Sequence, residues 1–127
     1  MIQIRATVKG EQDALPFTKL FDYGSSDEEI FFSSSAMIKE KLHYGMKINV
    51  NEALIMYCDY VVGAIRANVS DRCIQEGVSK ILSADRVMIG VPETLQKITF
   101  EAKIDTMPAR RIIIKEPMQT SGYTMAG

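Results

Sequence analysis

The segment from Lys97 to Ile104 alternates apolar and polar residues, and this period of two constrains the fold more than any other feature of the chain. Such alternation predicts a strand with one buried face. A turn-rich stretch at residues 105–109 and an isoleucine-rich stretch at residues 110–115 predict a second strand that returns beside it and ends at Pro117. Because an isolated hairpin is marginally stable in water, these two strands must pack against other elements.

A similar alternation opens the chain. Ile2, Ile4, Ala6 and Val8 are separated by polar residues, which predicts a strand that is a candidate third member of the same sheet. Residues 14–23 carry several apolar side chains around Pro16. They fit either a packed loop or a second short strand, and the pattern does not decide between the two.

The middle of the chain has helical periodicity. Residues 24–29 hold a serine cap, a glutamate that closes a capping box and further acids, so helix 1 is predicted from about residue 27 to residue 42 with a stop at Gly45. Asn49 and Glu52 repeat this signature before helix 2, predicted from residue 50 to about residue 67 and ended by Asn68.

Two shorter helices follow. Ser70 is predicted to cap helix 3 over residues 71–82, and Ser83 to cap helix 4 over residues 84–88, with Gly90 as its C-terminal stop. Pro92 is expected to preset the next helical turn. The predicted fold class is therefore α+β, with a bundle of about four helices and a small antiparallel sheet made by the C-terminal hairpin and the candidate N-terminal strand.

The apolar periodicity also predicts which helical side chains are buried. For helix 1 they are Ile30, Phe31, Met37, Ile38 and Leu42, and for helix 2 Ala53, Leu54, Tyr57, Cys58, Val61 and Ile65. Met37, Met56 and Met88 are interpreted as core residues, whereas Met46, Met107, Met118 and Met125 lie in joints or in the tail and are candidates for an adaptable contact surface. Cys58 and Cys73 are expected to be buried small hydrophobes.

Composition excludes several classes of function. A chain of 127 residues with 46% hydrophobic residues suits one globular domain, and a net charge of −1 provides no global field for nucleic acid or an acidic membrane. No apolar run approaches the roughly 18 residues that would span a bilayer, and the N-terminus has no secretory core. The expected location is the cytoplasm, with neither nucleic acid nor membrane as a partner.

Residues typical of catalysis are sparse and have simpler explanations. His43 is the only histidine, and it is interpreted as a cation at the C-terminus of helix 1, not as a metal ligand. Residues 33–35 are three serines, which are expected to serve close helix packing, and the acids at residues 27–29 suit a helix N-terminus. Neither a phosphate-binding glycine loop nor a nucleophile elbow occurs. No catalytic, cofactor-binding or metal-ligating residue is therefore predicted.

One group of cations falls on the predicted hairpin and is the only feature resembling a nucleic-acid surface. Its members are Lys97, Lys103, Arg110, Arg111 and Lys115, which could line one face. Lysine-rich outer faces commonly serve solubility, and the chain as a whole is not basic. The favoured interpretation is a solvated face.

Three runs in register carry a family resemblance. Residues 45–53 read G-M-K-I-N-V-N-E-A and resemble the G-L-K-L-N-Y-P-E-A of urease gamma subunits. Residues 87–93 read V-M-I-G-V-P-E and are similar to the V-M-E-G-V-P-E of that family, and residues 100–102 are similar to its V-E-A. The resemblance implies a gamma-like domain at residues 26–118, preceded by an additional strand and loop at residues 1–25. Residues 119–127 are small, polar and glycine-containing, which predicts a flexible tail unless a neighbouring subunit holds it.

The resemblance also implies a role. It predicts a helical subunit with a C-terminal hairpin that assembles with urease-like alpha and beta subunits, commonly as a trimer of heterotrimers. In that family the two nickel ions and the residues that hydrolyse urea belong to the alpha subunit, so this chain is expected to bind no cofactor of its own.

Three segments depart from the family pattern. At the end of helix 2 the family reads E-G-A-R-D-G, whereas residues 63–68 keep Arg66 but lack the acid on each side. The D-G hairpin turn is replaced by residues 105–109, and the H-[DN]-P ending by residues 115–117. Two hypotheses therefore stand: a noncatalytic subunit of a urease or urease-like nickel amidohydrolase, or a homo-oligomeric structural or binding protein with a gamma-type fold.

Overall fold

The computed structural model of the chain describes residues 2–10, 17–23 and 28–118. Its elements follow in the order β1 (Ile2–Lys9), β2 (Phe17–Tyr23), α1 (Glu28–His43), α2 (Val50–Arg66), α3 (Asp71–Val78), a 3-10 turn (Ala84–Arg86), α4 (Val91–Thr94), β3 (Lys97–Ile104) and β4 (Arg110–Lys115). The predicted α+β class, with helices and a small antiparallel sheet, is confirmed. Among these described residues, no helix is both long enough and apolar enough to cross a membrane.

The sheet has four strands in the order β2-β1-β3-β4, and each neighbouring pair is antiparallel. The N-terminal strand is thus a central member, because β1 pairs with β3 from Ile2 opposite Ile104 to Lys9 opposite Lys97. Part of the segment that fitted either a loop or a strand forms the outer strand β2.

Alternation along the strands puts the apolar side chains on one face. Those of β1, β3 and β4 are buried against the helical layer, and they are Ile2, Ile4, Ala6, Val8, Ile98, Phe100, Ala102, Ile104, Ile112 and Ile114. Helix α2 lies over β1 and β3 and packs against α1 and α3 on its other sides. One continuous core therefore includes the N-terminal strand, the hairpin and the helices.

Helix α2 begins and ends as predicted. The Asn49 side chain accepts a hydrogen bond from the Glu52 amide at 2.9 Å, and the Glu52 carboxylate accepts one from the Asn49 amide at 3.1 Å. At its end, Asn68 has a φ of 58° and donates from its amide to Ile65, while the Val69 amide donates to Ala64. This pair of bonds is the Schellman arrangement, which satisfies carbonyls that a helix end leaves unpaired. All six side chains predicted as buried in this helix are buried.

Helix α1 ends with the same Schellman arrangement, but the residues on its buried face differ from those predicted. Gly45 has a φ of 78°, and the amides of Gly45 and Met46 donate to Leu42 and Lys41. The prediction that Met37 is buried was wrong, since its side chain is 65% exposed. The position that completes the buried stripe belongs to Ser35, which is 1% exposed. The predicted capping box at residues 24–29 extends outside the described residues.

The predicted third and fourth helices were both too long. Helix α3 has its predicted cap, with Ser70 Oγ accepting from the Cys73 amide at 3.3 Å, but it ends at Val78 because the following amides bond three residues back and tighten the turn. The fourth helix is only a 3-10 turn at residues 84–86, and Ser83 makes no side-chain cap to it. Gly90 is not its C-terminal stop; with a φ of 94° it immediately precedes α4, where Pro92 lies in the first turn as predicted.

Replacing Ile4 by alanine tests the central place of β1. Ile4 is fully buried and lies opposite Ala102 of β3, so we expect Ile4→Ala to lower the free energy of unfolding by about 2–5 kcal/mol, as for other buried isoleucines. The matched control is Gln3→Ala on the exposed side of the same strand, for which the change should stay within about 0.5 kcal/mol. Equal effects in urea unfolding would contradict a one-sided burial of β1.

Candidate partner interface

The structure places two of the polar residues singled out from the sequence, His43 and Ser35, in the last turn and on the buried face of α1. His43 lies exposed in the last turn of α1, as predicted, with its ring edge-on to Tyr44 at a centroid distance of 5.3 Å. Ser35 Oγ donates to Asp59 Oδ2 at 2.8 Å, and Lys39 Nζ lies 3.0 Å from the same carboxylate oxygen. The serine therefore connects α1 to α2, which agrees with the close helix packing expected for it. Within the described residues, no three of the metal-ligating types His, Cys, Asp and Glu lie together.

Two of the runs that carry the family resemblance lie side by side, although about 40 residues separate them in sequence. Ile48 forms a parallel bridge with Val87, both side chains being buried. The Ile48 amide donates to the Arg86 carbonyl at 3.3 Å, and the Met88 amide donates to the Ile48 carbonyl at 2.9 Å. The loop after α1 and the segment before α4 thus form one surface.

Charged groups hold this junction in place. Arg86 Nη2 donates to the Leu42 carbonyl at the end of α1 at 3.0 Å, a favourable position for a cation. Lys41 Nζ lies 2.6 Å from Glu52 Oε2, which joins the last turn of α1 to the capping box of α2. Burial acts to raise the pKa of Glu52, but the bonds from Lys41 and from the Asn49 amide outweigh it, so this pKa lies below its usual value.

The junction exposes large apolar side chains. They are Tyr44 (72% exposed), Met46 (54%), Met88 (47%) and Ile89 (102%), and together they are called here the bridge patch. Ile89 stands just before the left-handed Gly90, which directs the chain into α4. Clustered exposed apolar side chains on a soluble protein are typical of an interaction site.

The predicted burial or exposure of the methionine side chains was correct for some residues and wrong for others. Met56 is buried as predicted, but the burial predicted for Met88 was wrong. Its backbone is drawn into the bridge to Ile48, which leaves the side chain on the outer surface. Met46 is exposed, in line with a contact role, whereas Met118 is buried in the core. Met125 lies outside the described residues.

The two cysteines differ in environment. Cys58 is completely buried, and this burial raises the pKa of its thiol. The predicted burial of Cys73 was wrong, because Cys73 lies on the exposed side of the short amphipathic helix α3, whose buried face is formed by Ile74 and Val78. Both are free thiols.

We expect one of these thiols to react with a disulfide reagent in the native chain. Cys73 should be modified within the mixing period, while Cys58 should react only after denaturation, because a buried thiol is both inaccessible and protonated. Counting released thiolate with and without denaturant measures this. Two fast thiols in the native chain would contradict the burial of Cys58.

Two of the departures from the family pattern meet in space. Arg66 at the end of α2 donates from Nε and Nη2 to Asp105 Oδ2 and Oδ1 in the β3–β4 turn, each at 3.0 Å. Asp105 has a φ of 52°, which aspartate tolerates better than most residues. The hydrogen bond from Arg66 is the largest of the interactions that lower the pKa of Asp105 from 3.8 to about 2. The retained arginine and the altered turn are therefore one contact.

This pair predicts a pH dependence of stability. Because the pKa of Asp105 is lower in the folded chain than in the unfolded chain, its contribution is complete above about pH 4 and is lost as the pH falls toward 2. We expect Asp105→Asn to remove this component, so that urea unfolding midpoints of the variant fall less between pH 4 and pH 2 than those of the parent. An identical pH profile for both proteins would contradict the pairing.

Comparison with known proteins bears directly on these surfaces. The family model "Urease, gamma subunit" matches residues 25–117. The chain belongs to the urease gamma subunit family. It is 33% identical over 95 residues to the urease subunit gamma of Halalkalibacterium halodurans, a match that covers 72% of this chain and 92% of that protein. It is also 29% identical over 76 residues to the urease subunit gamma of Paracoccus denitrificans, covering 59% and 74% of the two chains.

Within this urease gamma family match lie all the helices, the bridge patch and the β3–β4 hairpin. Strands β1 and β2 precede the matched residues, yet β1 occupies the whole length of the β3 edge. The sequence resemblance identified the family, but it could not show that β1 lies between β2 and the hairpin.

Proposed function

We propose that this chain is a noncatalytic gamma-type subunit of a urease or urease-like nickel amidohydrolase that acts on urea. In this proposal it supports assembly of the catalytic subunit and contributes no catalytic, cofactor-binding or metal-ligating residue. Its partners are urease-like alpha and beta subunits, commonly arranged as a trimer of heterotrimers, with nickel held by the partner catalytic subunit. The proposed location is the cytoplasm, which suits two free thiols.

The observation that carries this proposal is the bridge patch. Its exposed side chains belong to segments inside the family match, and its backbone is held by the bridge between Ile48 and Val87. An exposed surface with Met and aromatic side chains has the composition of an interface core, since these residue types are enriched there. The occupant we propose is an apolar surface of a partner subunit.

A second candidate is a homo-oligomeric structural or binding protein with the same fold. It is favoured by one observation, namely that β1 fills the β3 edge with a strand of the chain itself. A filled edge is closed to strand pairing with another subunit. We propose residues 1–25 as an extension of a gamma-type unit at residues 26–118; the tail predicted at residues 119–127 lies outside the described residues.

Affinity purification of the tagged chain from its source organism tests the first proposal. We expect a larger nickel-containing amidohydrolase to co-purify, with urea hydrolysis in the complex and none in the chain alone. Ile89→Glu should lower its recovery about tenfold or more, because a charge would be placed at the most exposed apolar side chain of the patch.

Met37→Glu is the matched control, since it adds the same charge at an exposed apolar residue outside the patch. Both variants should unfold at the parent's urea concentration within error. Recovery of nothing but copies of the chain would contradict the urease proposal. In that case light scattering should show a defined homo-oligomer, and a monomer would exclude the second candidate as well.

A further inference from the structure

The outer face of β1, β3 and β4, away from the helices, is strongly cationic. On β1, β3 and β4 it carries one carboxylate, Glu101, against six cationic side chains, and these are Arg5, Lys9, Lys97, Lys103, Arg111 and Lys115. The chain as a whole has a net charge of −1. Positive charge is therefore concentrated on this face. Arg110, which the sequence suggested for the same face, instead reaches the helical layer and bonds to Asp71 and to the Val69 carbonyl.

Three of these lysines stand in a single cross-strand row. Lys97 of β3 lies directly opposite Lys9 of β1 on one side and Lys115 of β4 on the other. Neighbouring strands are about 4.8 Å apart, so the three side chains leave the sheet within roughly 10 Å. We call Lys9, Lys97 and Lys115 the lysine row.

Within the lysine row, the pair Lys97 and Lys115 is unfavourable for the isolated chain, because like charges directly opposite each other destabilise a sheet. Neither Lys97 nor Lys115 has an ion pair with any residue in the described part of the chain. Lysines that serve only solubility do not need to lie directly opposite one another on neighbouring strands. Carboxylates supplied from outside would remove the repulsion.

The same face continues into a second row and a groove. Glu101 lies opposite Arg5 on one side and Arg111 on the other, four residues along each strand from the lysine row. These three side chains, with Gln3 and Lys103, line a shallow groove of about 530 Å³. The cationic surface thus contains a groove, in which Glu101 lies between two arginines.

We infer that the outer face of the sheet docks a carboxylate-rich segment of a partner protein, with the lysine row binding its carboxylates. A nucleic acid fits less well, because Glu101 would repel phosphates and no aromatic ring stands on this face of β1, β3 or β4 to stack on bases. Ile113, half-buried beside the lysine row, adds an apolar contact suited to a protein. Arg5 and Lys9 come from β1, which lies outside the family match, so this surface extends beyond the matched region. It shares no residue with the bridge patch and does not depend on a urease-type partner.

Lys97→Glu in the full chain separates binding from stability. The variant converts the lysine row into an alternating Lys-Glu-Lys row, so we expect its thermal unfolding midpoint to rise by about 1–5 °C. Its affinity for a fluorescein-labelled glutamate oligomer, measured by anisotropy at physiological ionic strength, should fall about tenfold or more. Loss of binding in a more stable protein cannot come from unfolding.

Lys80→Glu is the matched control, because Lys80 is an exposed lysine after α3 and has no lysine opposite it. It should change the affinity less than about twofold. Equal losses in both variants would overturn the inference, since they would reflect net charge alone. Failure of the parent chain to bind the glutamate oligomer would overturn it as well. So would tighter binding to a DNA duplex of equal charge or to phosphatidylserine vesicles.

Discussion

The pairing of β1 with β3 is the interaction on which the rest of the structure depends. It places Ile2, Ile4, Ala6 and Val8 beside the apolar residues of the hairpin, so that one face of the sheet is wide enough to cover α2. A two-stranded hairpin alone would leave much of that helix uncovered and would be marginal in water. Strand β1 of the additional N-terminal segment is therefore an integral part of the hydrophobic core.

The short bridge between Ile48 and Val87 organises a second part of the structure. It draws residue 87 into an extended conformation, and this ends the 3-10 turn before it can become a helix. The same extension turns Met88 and Ile89 outward beside the loop that carries Tyr44 and Met46. One backbone contact thus explains both a failed helix prediction and the exposed surface proposed to meet a partner.

Capping chemistry and strand alternation were predictable because they depend on neighbours in sequence. The capping box at Asn49 and Glu52, the left-handed Asn68 and the alternation in β1 and β3 all appear as expected. The errors occurred where distant residues compete. Ser35 lies on the buried face of α1, where its hydroxyl has Asp59 of α2 as a partner, whereas the more hydrophobic Met37 is exposed.

The same difference between local and long-range effects explains which features of the candidate surfaces could be predicted. The sequence by itself determined the fold class, most element starts, the family resemblance and the scarcity of catalytic residue types, since these depend on local pattern and composition. Only the tertiary structure decided that β1 is central, that the two family-like runs touch and that three lysines share one row. Strand order is set by backbone pairing and burial between segments far apart in sequence, which no local sequence pattern specifies.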